Sequence, residues 1–93
     1  MPSNRETSET ILHELCAAYD GELRDAGVMM SAFGSWKREA ERGEVAWSIA
    51  SATAMLEEDI LIARRRDDHR GAAIIREWVT RLRRFEEQPG MTP

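Results

Sequence analysis

Four side chains near the start of the chain are spaced for chemistry. Glu9, His13, Cys16 and Asp20 fall within about 60° of one another when successive residues turn by about 100°, as on a helix. Together they offer oxygen, nitrogen and sulfur donors, a set that a transition metal accepts. A single helix cannot surround an ion, however, and the other histidine, His69, lies far along the chain. Cys16 and His13, three apart, would set a thiol beside an imidazole, but nothing supplies an oxyanion hole or a third orienting group. Cys16 also borders an apolar stripe, so it is expected to behave as a small buried hydrophobe.

Glu57, Glu58 and Asp59 resemble the acidic motifs of metal-binding bundles only superficially. Those bundles pair each of two carboxylates with a histidine three residues on, and no such pair is present. Consecutive acids on a helix point three ways, so these three are expected to be solvated charge. No phosphate-binding glycine loop, HExxH or GxSxG occurs either. The expectation is therefore a protein with no catalytic residues, no cofactor and no metal, and not an enzyme.

Arginines make the other chemical pattern. With Ile74, Ile75, Trp78, Leu82 and Phe85 turned inward, Arg70, Arg76, Arg81, Arg83 and Arg84 point outward or sideways, and only Glu77 shares their face. Planar guanidinium groups grip phosphate or carboxylate bidentately, so this face suits nucleic acid, a ribonucleoprotein or an acidic protein. Opposing that, Glu77–Arg81 and Arg83–Glu87 are four apart and can pair along the helix. There are no lysines here and no interleaved aromatics. Nucleic-acid binding is accordingly the alternative reading.

These side chains need a scaffold, and 93 residues are enough for one domain. Hydrophobic residues at 42% are too many for a disordered chain whose net charge is only −4. The charge is split: residues 1–63 hold five basic and twelve acidic side chains, residues 64–93 eight and five. The acidic total opposes general phosphate neutralisation, and only the last third escapes that objection. Twelve of the thirteen basic residues are arginine, which suits a GC-rich bacterial or phage source. One cysteine excludes an internal disulfide and a zinc ribbon. No apolar run approaches membrane-spanning length, and the polar first ten residues are no signal peptide, so a cytoplasmic protein is expected.

Strand signals are absent, and four helices are expected. The first spans about Thr7 to Ala26, with Leu12, Leu15, Cys16, Tyr19 and Leu23 buried, a bend at Gly21 and a left-handed stop at Gly27. The second spans about Met29 to Arg42, with Met29, Phe33, Trp36 and Ala40 as its stripe. Gly34 interrupts that stripe, and Ser35 offers a later start. The third spans about Glu44 to Arg66, lined by Val45, Ile49, Ala52, Leu56, Ile60 and Ala63. Asp67 or Asp68 caps the fourth, which runs to about Glu87. Short connections favour antiparallel neighbours, giving an all-α fold: a small antiparallel bundle of three to four helices. One long helix running through Gly71 is the competing arrangement. The domain covers residues 1–93, with short flexible ends at about 1–6 and 88–93.

The third helix carries a second apolar set on its far side: Trp47, Ala54, Met55, Leu61 and Ile62. A helix apolar nearly all round is buried on more than one side. Either helices on both faces cover it, or the far side meets a partner, which includes self-association of two copies through this helix. The functional expectation is a protein-interaction module, a regulator, adaptor or inhibitor covering a larger protein, with Trp36, Trp47, Leu61 and Ile62 as contacts.

Overall fold

The computed structural model describes residues 8–86, which contain helices and no strands. In order these are α1 (Ser8–Asp20), a one-turn α2 (Glu22–Asp25), α3 (Ser31–Glu41), α4 (Ile49–Arg65) and α5 (His69–Glu86). The ends expected to be flexible, and the expected stop beyond Glu87, lie outside the described residues.

Three helices end by one device. Gly27, Gly43 and Asp67 all take left-handed backbone, with φ of 79°, 77° and 61°. Each lets the next amide reach five residues back: Val28 to Leu23, Glu44 to Glu39, and Asp68 to Ala63, at 2.8–2.9 Å. The carbonyls that a helix end leaves bare are thereby satisfied. Glycine makes the first two stops legible; Asp67 tolerates a conformation that most side chains avoid. Because Asp67 turns the chain, α4 and α5 are separate helices, which excludes one helix through Gly71. Of the two candidate caps, Asp68 does the work, its Oδ1 accepting the Gly71 amide at 2.9 Å.

The expected first helix is interrupted at Gly21, whose φ and ψ of −119° and −97° are not helical. Within α3, Gly34 does not delay the start. It is buried because the Tyr19 hydroxyl lies against it, 2.3 Å from where a Cβ would stand. Phe33, Trp36 and Ala40 of the expected stripe are buried, but Met30, at 3% exposed, takes the place of Met29, at 53%.

The largest correction concerns α4. It begins at Ile49, not Glu44, because Ser48 takes extended backbone and its Oγ accepts the Ser51 amide at 3.0 Å. Val45 and Trp47 therefore lie in the 42–48 connection, where the 100° wheel does not apply to them. The rest of the stripe holds, with Ile49, Ala52, Leu56, Ile60 and Ala63 all buried. The α4 helix lies at the centre, sharing its most extensive contact with α5 and touching α3 and α1 as well. On α5 the buried line is Ala72, Ile75, Val79 and Leu82, while Ile74, Trp78 and Phe85 are half-buried at its margin.

Asp59 is the other correction. It is 1% exposed, where solvated charge was expected. Its Oδ1 accepts the Ala32 amide and its Oδ2 the Phe33 amide, both at 2.9 Å. These are first-turn donors of α3, which no side chain of α3's own cap residue, Met30, can satisfy. A carboxylate from α4, 27 residues away, caps α3 instead. Burial holds the Asp59 carboxyl above the ordinary value of 3.8, and the two amide bonds pull against it.

Candidate functional site

Two grooves on opposite sides of the charge balance collect most of the side chains with chemical potential. The first lies between α4 and α5, with a volume of about 400 Å³. Ile60, Leu61 and Val79 supply its apolar part, and Arg64, Arg76 and Arg83, with one acid, Glu57, its charge. Leu61 is 51% exposed, much for an aliphatic side chain beside a helix–helix contact. Ile62 is half-buried next to it.

All five arginines of the expected basic face are exposed, but they are not equivalent. Arg81 reaches across to Glu14 of α1 and lies over the Trp78 ring, 4.7 Å from its centroid. Arg83 pairs with Glu57 of α4. Arg81 and Arg83 thus turn to carboxylates on other helices, while Glu87, the partner that the spacing offered Arg83 along its own helix, lies outside the described residues. Among the described residues, Arg70, Arg76 and Arg84 form no ion pair. Arg64, which the sequence reading left out of the basic face, is equally uncommitted and stands in the groove. Only the α4–α5 pairing brings Arg64 and Arg76 together, and periodicity within one helix carries no signal of it.

The second groove lies between α1 and α3 and encloses about 450 Å³. It gathers Glu9, His13, Cys16 and Asp20 on one wall, as the 100° rule requires, with Lys37 and Glu41 opposite. Trp47 closes one end. Trp47 is 43% exposed and meets Trp36 edge-on, ring centroids 5.2 Å apart. Trp36 itself is only 6% exposed and leans on Phe33 at 5.6 Å. The structure thus places Trp36 in the core as the buttress of Trp47.

Electrostatics on that wall are uneven. The Lys37 ammonium donates to Glu41 at 2.7 Å and stands 3.6 Å from Asp20. Its side chain is 12% exposed, whereas those of Asp20 and Glu41 are 58% and 49% exposed. The bond to Glu41 raises the Lys37 pKa. Burial pushes the Cys16 thiol up to about 11, so at neutral pH it is a protonated, weak nucleophile. Among the described residues, no three histidine, cysteine, aspartate or glutamate side chains converge to hold a metal ion. No described helix is long and apolar enough to cross a membrane. Every buried side-chain nitrogen and oxygen among them has a hydrogen-bond partner.

No family model, curated protein or solved structure matches the chain.

Proposed function

We propose that the chain is a non-enzymatic protein-interaction module, a small bacterial or phage regulator, adaptor or inhibitor that covers a surface on a larger protein in the cytoplasm. The observation that carries this reading is Leu61, half in water, beside Arg64 and Arg76, which have no carboxylate partner among the described residues. An exposed aliphatic flanked by planar cations suits an acidic, amphipathic partner surface, with the apolar contact supplying affinity and the arginines orientation. Ile62, half-buried and outside the lining of this groove, is not needed for the contact. Trp47 lines the other groove and Trp36 is buried behind it, so this reading does not draw on them.

Self-association through α4 of the small antiparallel bundle is less favoured by the same residues. A two-fold axis at Leu61 would bring Arg64 and Arg76 of both copies together, and like charges across an interface oppose it. Nucleic acid is the second reading, supported by Arg70, Arg76 and Arg84, which form no ion pair among the described residues. It is weakened because Arg81 and Arg83 are already neutralised by Glu14 and Glu57.

The test is affinity capture from native lysate with nuclease, comparing wild type with a Leu61→Ser, Arg76→Glu variant. Both sites are exposed, so the variant is expected to keep its helical circular dichroism, each change moving stability by about 0.5 kcal/mol or less. A protein recovered in stoichiometric amount by wild type and lost by the variant supports the module. Recovery of nucleic acid, or of proteins only when nuclease is omitted, transfers the function to phosphate binding.

A further inference from the structure

The groove between α1 and α3 plays no part in that reading, and its chemistry differs. Its floor is apolar, formed by Leu12, Cys16 and Ala17, and the Trp47 indole closes one end. Three carboxylates, Glu9, Asp20 and Glu41, stand around it with one ammonium, Lys37, and the His13 imidazole. Exposure decides what a visitor meets. Lys37 is tucked beneath the wall at 12%, while Asp20 and Glu41 protrude, so the negative charge faces outward. Glu9, on the first turn of α1, is exposed and has no ion pair among the described residues.

An indole face and nearby carboxylates on an apolar floor attract a cation that carries an apolar body. A volume of about 450 Å³ suits a small molecule better than a helix. We infer that this groove binds a small organic ammonium ion, a free arylalkyl amine, with its ring on the Leu12–Cys16 floor and its ammonium between Trp47 and the carboxylates of Glu9 and Glu41.

The probe is phenethylammonium, with 2-phenylethanol as its uncharged counterpart, titrated into the full chain and followed by the indole N–H signals of the three tryptophans in a ¹⁵N spectrum. The expected result is movement of the Trp47 signal, with Trp78 unmoved, and affinity for the amine about three- to thirtyfold above that for the alcohol. Glu9→Gln and Trp47→Leu are each expected to weaken amine binding by about threefold or more. Glu9 lies on the exposed face of α1, so that variant tests the charge even if the loss of Trp47 disturbs the 42–48 connection. Equal affinity for amine and alcohol, a response confined to Trp78, or no response at about 10 mM amine would each overturn the assignment. A lysine-bearing peptide that binds while the free amine does not would overturn it in favour of a protein ligand. Capture of the Leu61 partner is a separate readout, so failure here leaves the α4–α5 proposal standing.

Discussion

A single carboxylate sets the relation between two helices. Asp59 satisfies two buried α3 amides at once, and Asp59→Ala leaves both donors bare. The expected loss is about 2–4 kcal/mol in chemical denaturation, the cap together with the unmet donors. The pH dependence follows from burial. Since folding raises the Asp59 pKa, the folded chain holds this proton more tightly than the unfolded one. Stability from this group is fully present below the unfolded value and is lost as pH rises through the folded one. The stability gap between wild type and Asp59→Asn is thus expected to widen as pH falls from neutral toward 3.8. A gap that narrows on acidification would mean that the amide bonds outweigh burial. None of this was legible in the sequence, because periodicity assigns a residue to a face of its own helix. The donors that make burial of Asp59 tolerable sit 26 and 27 residues earlier. The 9, 13, 16, 20 spacing was legible because those four residues share one helix.

At the scale of elements, α4 and α5 show which signals a sequence transmits. The α4 stripe from Ile49 to Ala63 is regular and was readable, as were the glycine stops at 27 and 43. The start of α4 was missed because Val45 continues the apolar spacing by chance. Ser48, directly before Ile49, was the available sign of a cap. The turn at residues 66–68 offered two aspartates and no glycine, so it left one helix or two undecided. That turn also yields a coupled prediction. A Cβ on Gly71 would meet the Asp68 carboxylate, 2.3 Å from Oδ2, so Gly71→Ala displaces the cap it shares a bond with. The gain in helix propensity, about 1 kcal/mol, and the lost cap, also about 1 kcal/mol, are expected to cancel. With Asp68→Ala already in place there is no cap left to lose, and Gly71→Ala is expected to stabilise. A double-mutant cycle by thermal melting reads the difference, and strict additivity would show that the cap does not depend on this glycine.

For the whole molecule the governing fact is segregation of charge between two grooves. The excess of acids in residues 1–63 and of arginines after them was countable in advance. That the excesses would face different grooves was not, since it depends on Lys37 being covered and on Arg64 meeting Arg76 across a helix pair. Wild-type chain is expected to sediment as a monomer at low salt. Any dimer through α4 should strengthen between about 0.01 and about 1 M salt, as the screening length falls from about 30 to about 3 Å and the arginines stop repelling. A dimer that is tightest at low salt would point to association between the acidic and basic grooves.

The bridge from Asp59 also orders events in time. The α4–α5 pair closes through a short turn and can form from neighbouring sequence alone. The first turn of α3 cannot complete its hydrogen bonds until the middle of α4 arrives, so α3 is expected to consolidate late on folding and to loosen early on unfolding. The α3 wall of the amine groove would then share its lifetime, since Lys37, Glu41 and the Trp36 buttress all ride on α3. A ligand held there would report on kinetics as well as occupancy: by bracing α3 against α1, it would slow the first step of the chain's opening.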